Sequence, residues 1–259
     1  MAHERTPAIR VERMTMAYGQ RVIARDIDFT VWRGEIFSIV GGSGSGKTTL
    51  LRHLVGLERP AGGEIYYGGL CATQVDEATR ERMLRRVGVL YQGGALFSSM
   101  TLAENVALPL AYTPLTPDEV RRVVRVKLRL VGLGGFDDYE PSQISGGMVK
   151  RAGLARALAL DPDFLFLDEP SSGLDPVTAR RLDELILDLR AGLGATVVVV
   201  THDLASIFAI SDACVFLDGA SQHQIATGAP RDLLAHCQDP RVVDFFTRGG
   251  TYHPPEKAP

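Results

Sequence analysis

Residues 41–48 read Gly41, Gly42, Ser43, Gly44, Ser45, Gly46, Lys47, Thr48, a G-x-x-x-x-G-K-[ST] spacing. These residue types suit a polyphosphate. Glycines let successive backbone N–H groups turn toward phosphate oxygens. The Lys47 amine supplies a point charge to β- and γ-phosphates, and the Thr48 hydroxyl is placed to bind a Mg²⁺ that bridges the same two phosphates. Thr49 continues into a helical pattern over 49–54, whose N-terminus adds a positive dipole end. A second cluster is acidic: the apolar run 164–167 ends in Asp168 and Glu169. The carboxyl end of a buried strand is where open α/β sheets bind ligands. Neighbours on a strand point to opposite faces, so the two carboxylates are expected to differ in role. Asp168 is the candidate for the Mg²⁺ shell and Glu169 for polarising an attacking water. Together the two motifs imply nucleotide hydrolysis without saying what it drives.

The elements that must carry these residues are legible as apolar runs and helix signals. Strands are expected over 9–14, 27–31, 35–40, 87–91, 164–167, 196–201 and 213–217. The runs 36–40, 164–167 and 197–200 have the near-continuous apolar character of strands buried on both faces, as in parallel sheets covered by helices. Thr116 followed by Pro117, Asp118 and Glu119 opens a helix with a cap, Pro at the first position and an acidic first turn. Val120, Val123, Val124, Leu128 and Val131 form its apolar face. Arg121, Arg122, Arg125 and Arg129 lie on the other side, read as a solvated face in preference to a docking surface. Further helices are expected over 146–160, stopping at Asp161 and Pro162, and from about 176 to 190. The tail over 248–259 is read as disordered or ordered only on a partner.

Five further features sit at chemically suggestive places. Ser145, Gly146 and Gly147 open the helix over 146–160, and a helix N-terminus can take an anion; alone they could equally be a cap. Tyr18 precedes the glycine-rich loop. Tyr91 and Gln92 end the strand over 87–91. Ser172, Gly173, Leu174 and Asp175 follow Glu169 closely, and Thr201, His202 and Asp203 follow the buried run 197–200.

In this order and combination the chain resembles the ATP-binding subunits of ABC transporters over about residues 7–247. The resemblance implies an α/β fold: a P-loop (RecA-like) core with a parallel-rich sheet and an antiparallel β subdomain over 7–92 and 158–247, and a helical subdomain over 93–157. It implies that Tyr18 stacks on adenine, and that Gln92 joins the Mg²⁺ and water shell while sensing a membrane partner. It further implies that His202 contacts the γ-phosphate and that Asp175 lies at a subunit interface. Each subunit's Ser145, Gly146 and Gly147 would cover the other's ATP, in a C2 homodimer with two composite sites. Two departures narrow the match: Met148 stands where the common signature has Gln, and Gly173 where Ala is frequent. With the stretches 92–97 and 104–109, they resemble the ATPases of Mla-type (MCE-associated) lipid transport systems. That resemblance implies a transmembrane permease, an MCE-type lipid-binding protein, a small STAS-domain regulator, and a place on the cytoplasmic face of the inner membrane. An ATPase for another small solute would share all of the chemistry and is the alternative; a non-transport ABC protein fits less well, because the chain has one ATPase unit and no heptad run. Leu96, Phe97 and Met100 suit a groove for a permease helix and suit a local core equally.

Composition removes several other classes. The chain has 259 residues, 45% hydrophobic and 23% charged, ordinary globular usage. A balance of 28 Lys and Arg against 31 Asp and Glu leaves a net charge of −3, which gives no bulk field for nucleic acid. No stretch approaches the ~20 apolar residues of a membrane-spanning helix, and no apolar h-region marks a signal peptide. Cys71, Cys214 and Cys237 lack metal or CxxC spacing and read as reduced thiols. His3, His53, His223, His236 and His253 form no ligand set, and Trp32 is read as packing.

Overall fold

The computed structural model describes residues 5–249. His3, His253 and the expected tail from residue 250 onward lie outside them. In chain order the elements are β1 (Pro7–Tyr18), β2 (Arg21–Trp32), β3 (Ile36–Gly41), α1 (Lys47–Leu54), β4 (Gly62–Tyr67) and β5 (Leu70–Cys71). Next come α2 (Glu77–Leu84), β6 (Val87–Leu90), α3 (Leu102–Ala107), α4 (Pro117–Leu130), α5 (Gly146–Ala157), β7 (Phe164–Asp168), α6 (Pro176–Leu193) and β8 (Thr196–Val200). The last are α7 (Leu204–Ile210), β9 (Ala213–Asp218), β10 (His223–Gly228), α8 (Pro230–His236) and α9 (Pro240–Thr247).

These elements form two compact units, one of the chain up to Thr73 and from His202, the other of Gln74–Thr201. In the first unit the strand order is β5-β4-β1-β2-β10-β9-β3. The hairpin β1–β2 and strands β4 and β5 are antiparallel, whereas β3 runs parallel to β9 with Phe37 opposite Ala213. Every residue of β3 is buried, which is why its sequence shows an apolar run and no alternation. Val40, Phe216, Ile207, Val242 and Phe246 join into one core that holds α7 and α9 against β3 and β9. In the second unit β6, β7 and β8 are all parallel, with Phe164 between Val87 and Thr196. Strands β7 and β8 are buried throughout.

All seven expected strands are present. The unexpected β4 starts on two glycines and β10 is nowhere fully buried, so neither carries an apolar signal. Thr116 and Glu119 form the expected capping box of α4. Arg121, Arg122, Arg125 and Arg129 are exposed, and Arg121 pairs with Asp118 one turn away. Helix α5 stops at Ala157, short of residue 160. Helix α6 runs through Gly192 to Leu193, because its left-handed stop residue is Gly194 at φ 65°. Trp32 sits at the end of β2, its N–H donating to Glu35 Oε2 at 2.6 Å.

Candidate functional site

The candidate residues divide between the units: Tyr18, 41–49 and His202 belong to the first, and Gln92, 145–147, Asp168, Glu169 and Asp175 to the second.

In the first unit, β3 delivers the chain into the loop and α1 takes it out. Gly41 has φ 146°, and a Cβ there would lie 2.2 Å from the Leu217 carbonyl oxygen of the parallel neighbour β9. Only glycine fits this close backbone approach. Gly44 and Gly46 are also left-handed, at φ 75° and 92°. Gly46 is the N-cap of α1 and offers no side chain to cap it, so the first amides of the helix are left to an anion. The Ser45 hydroxyl is buried and has no hydrogen-bond partner among the described residues. An orphaned polar atom under a glycine cradle at a helix N-terminus fits a phosphate. Lys47 folds back over the loop, its Nζ donating to the Gly41 and Gly42 carbonyls at 2.9 and 2.8 Å. Thr48 and Ser43 are exposed. Tyr18 closes β1 and is 46% exposed as a residue, and its hydroxyl donates to Glu58 at 2.8 Å; an exposed tyrosine can offer a ring face to a base. His202 is exposed, one residue before Asp203, which caps α7.

In the second unit, Asp168 is the last residue of β7 and is 5% exposed. Glu169 is not on the strand. It has φ 49°, so it is this turn, and not strand alternation, that separates the two carboxylates. A left-handed non-glycine residue costs on the order of 1 kcal/mol and persists where surroundings over-determine it. The Glu169 N–H donates to the Val200 carbonyl at 2.8 Å, and its own carbonyl accepts from Lys150 Nζ at 3.0 Å. Burial pushes the Lys150 ammonium below the ordinary lysine range, partly offset by the Glu169 and Asp168 carboxylates.

Ser145 caps α5, accepting from the Met148 N–H at 3.3 Å. Gly146 is exposed and Gly147 buried. A Cβ on Gly147 would sit 2.7 Å from Thr178 Cγ2, so α5 and the start of α6 touch there. Asp175 caps α6 through the Val177 and Thr178 amides at 3.0 and 3.1 Å. Its hydrogen bonds from Thr178 hold its carboxyl below the usual range. Gly173 is left-handed at φ 77°, a conformation that Gly adopts without strain. Gln92 is exposed just beyond β6. After it Gly93, Gly94 and Ala95 are left-handed in succession, at φ 79°, 82° and 48°. Arg156 of α5 donates to the Ala95 and Gly94 carbonyls at 2.8 and 3.0 Å.

Sequence reasoning singled out neither Lys150 nor Arg156, and it missed Asn105. Asn105 is fully buried; its Nδ2 donates to the Phe97, Met100 and Thr101 carbonyls at 3.1, 3.1 and 2.9 Å, and its Oδ1 accepts from the Phe97 N–H at 2.8 Å. That amide fixes the loop after Gln92, leaving Phe97 57% exposed while Leu96 and Met100 are half-buried. A basic residue on the buried side of α5 was the available signal for Lys150.

Among the described residues no cluster of three His, Cys, Asp or Glu could hold a metal by itself, and no helix is long and apolar enough to cross a membrane. The three cysteines are free thiols.

A family model described as ABC transporter matches residues 24–172. The intermembrane phospholipid transport system ATP-binding protein MlaF of Haemophilus influenzae is 40% identical over 92% of this chain and 89% of its own length. MlaF of Escherichia coli K12 is 42% identical over 88% of this chain and 84% of its own length. The probable ribonucleotide transport ATP-binding protein mkl of Mycobacterium tuberculosis is 41% identical over 92% of this chain, which spans 66% of that protein's length. Among solved structures, cbiO1 of Clostridium perfringens, part of an ABC transporter complex, superposes with TM-score 0.82 at 26% identity over 92% of this chain and 95% of its own. A bacterial ABC transporter cassette solved as a dimer gives TM-score 0.77 at 29% identity, over 85% of this chain and 98% of its own. With its family model matched over more than half its length, the chain belongs to the ABC transporter family.

Proposed function

We propose that this chain is the ATP-hydrolysing subunit of a transport system that moves phospholipid between bacterial envelope membranes. The observation that carries the substrate class is the 40–42% identity to MlaF proteins along 84–89% of their length. The mkl match is of equal identity but leaves a third of that protein uncovered, so ribonucleotide transport is the second reading. The chemistry is common to both. Backbone amides of 41–49 and the Lys47 ammonium bind the ATP phosphates. Mg²⁺, held through Thr48, Asp168 and Gln92, would neutralise charge on the β- and γ-phosphates; hard oxygen donors, few in number, suit an ion that keeps most of its ligands from phosphate and water. Glu169 polarises the attacking water, His202 contacts the γ-phosphate, and Tyr18 stacks on adenine. The exposed Ser145 and Gly146, with Asp175, face a second copy, whose ATP they cover in a C2 dimer. The RecA-like core is drawn at 7–92 and 158–247, the helical subdomain at 93–157. A permease docks near 92–111, at the cytoplasmic face of the inner membrane, with an MCE-type lipid binder and a STAS-domain regulator as further partners.

The test is purification of the Glu169→Gln variant with its native membrane partners in mild detergent, followed by mass spectrometry of proteins and lipids. Losing the carboxylate is expected to slow turnover at least about 100-fold and trap ATP-bound dimers. A co-purifying multi-span permease with phospholipid and an MCE-type protein supports the proposal. A permease with a ribonucleotide-binding partner and no enriched lipid overturns the substrate, and near-normal turnover overturns the role of Glu169.

A further inference from the structure

Lys150 is 5% exposed, on a helix whose other buried residues are small or apolar. An ammonium is expensive to bury there, and an apolar side chain would pack the same face at less cost. What it does that an apolar residue cannot is donate to the Glu169 carbonyl, at 3.0 Å. Glu169 is left-handed at φ 49°, so the direction of its side chain depends on how firmly the two flanking peptide planes are held. The plane before it is held by the backbone of β8, through the N–H bond to Val200 at 2.8 Å. The plane after it is held by the Ser172 N–H at 3.2 Å, from within the turn, and by Lys150, a side chain from α5, nineteen residues earlier in the chain.

We propose that Lys150 is a positioning residue for ATP hydrolysis: it fixes the left-handed turn at Glu169 and so aims that carboxylate. The inference rests on the reading of Glu169 as the residue that polarises water. Lys150 touches neither nucleotide nor water in this role; it acts through its bond to the Glu169 carbonyl. Its loss should therefore slow the chemical step and spare ATP binding, which uses the phosphate loop.

The experiment is single-turnover ATP hydrolysis and ATP affinity of the full chain in four forms: parent, Lys150→Met, Glu169→Gln and the double variant, with Lys150→Arg as the conservative control. Lys150→Met is expected to slow hydrolysis about tenfold or more with ATP affinity within about twofold. Lys150→Arg, which keeps donor and charge, should recover most of the rate. In the Glu169→Gln background the Lys150→Met change should cost nothing further, because the residue it positions is already disabled. Hydrolysis by Lys150→Met within about twofold of the parent overturns the inference, and so does an equal fold-loss in both backgrounds, which is the signature of general structural damage. Parent-like hydrolysis by Glu169→Gln overturns the Glu169 reading itself, and this inference with it. If Lys150→Met fails to fold, Lys150→Ala, a strong helix former, carries the same comparison with the same outcomes.

Discussion

The phosphate loop and the acidic turn are both left-handed pieces of backbone leaving the ends of buried strands, yet different things hold them. In the phosphate loop the left-handed residues are Gly41, Gly44 and Gly46, and at Gly41 the constraint is backbone against backbone. In the acidic turn the left-handed residue is Glu169, and nearby in the same unit Gly93, Gly94 and Ala95 follow Gln92. There side chains join the backbone bonds: Lys150 on the Glu169 carbonyl, Arg156 on the Gly94 and Ala95 carbonyls, and Asn105 on the loop at 97–101. A site of the first kind depends on residues with no side chain; a site of the second kind depends on which side chains are near.

The largest effect expected from this contrast is at Gly41. A Cβ there would lie 2.2 Å from the Leu217 carbonyl and 2.8 Å from Ser45 Oγ, in a strand with no exposed residue. Gly41→Ala should destabilise the protein by ~3 kcal/mol and abolish measurable ATP binding. Gly42→Ala, one residue on, places its Cβ in open space and should change stability by less than ~0.5 kcal/mol. Urea unfolding and nucleotide titration of the pair measure the difference. Equal behaviour of the two variants would break the claim that backbone approach shapes this loop.

A smaller effect is expected at Arg156, where the support is a side chain. Its guanidinium bonds two carbonyls of the strained run after Gln92, and burial already presses against its charge. Arg156→Met keeps most of the packing volume and removes both donors. It should cost ~2 kcal/mol of stability and raise amide exchange over 93–97, while ATP affinity stays within about twofold. A fall in affinity as large as that of Gly41→Ala would erase the distinction between the two regions.

The same contrast explains what could be read from the string. The phosphate loop was legible because its requirements are local: glycines at fixed spacing, then Lys47 and Thr48. The strand runs 36–40, 164–167 and 197–200 were legible because burial on both faces leaves an apolar signature. The alternation argument placed Asp168 and Glu169 on one strand, whereas β7 ends at Asp168 and a turn begins; nothing in the residue types announces a left-handed glutamate. Lys150, Arg156 and Asn105 were not legible as supports, because each acts on a carbonyl between 4 and 62 residues away and a carbonyl leaves no mark in sequence. Strand β10 hid for a different reason: half-buried and polar, it is held by pairing with β9 and carries no pattern of its own.

The smallest effect is expected at Asp218, because the phosphate loop has side-chain supports too: Lys47 on the Gly41 and Gly42 carbonyls, and the cluster around Asp218. Gly219 packs on the loop, where a Cβ would meet the Gly44 carbonyl oxygen and Ser45 Cα at 3.2 Å, and Asp218 precedes it. The Asp218 carboxylate accepts from the Ser221 hydroxyl at 2.6 Å, the Ser221 N–H at 2.9 Å and Arg241 at 2.7 Å. Those bonds, the Ser221 hydroxyl foremost, pull its carboxyl down to about 2, against ~3.9 for an unfolded Asp. A carboxyl depressed on folding contributes stability that is full above the unfolded value and is lost as pH falls through the folded one. Stability measured by urea unfolding should therefore differ between the parent and Asp218→Asn by a constant amount from neutral pH down to ~5. That difference should shrink below ~4 and nearly vanish near 2. The cluster lies at the surface, with Asp218 part-buried and the Arg241 guanidinium half-exposed, so the constant difference is modest, and ATP affinity at neutral pH should move by less than about threefold. A pH-independent difference would assign the stabilisation to packing of the 218–222 turn and not to the charge of Asp218. A large loss of ATP affinity would place this loop, like the acidic turn, under side-chain control.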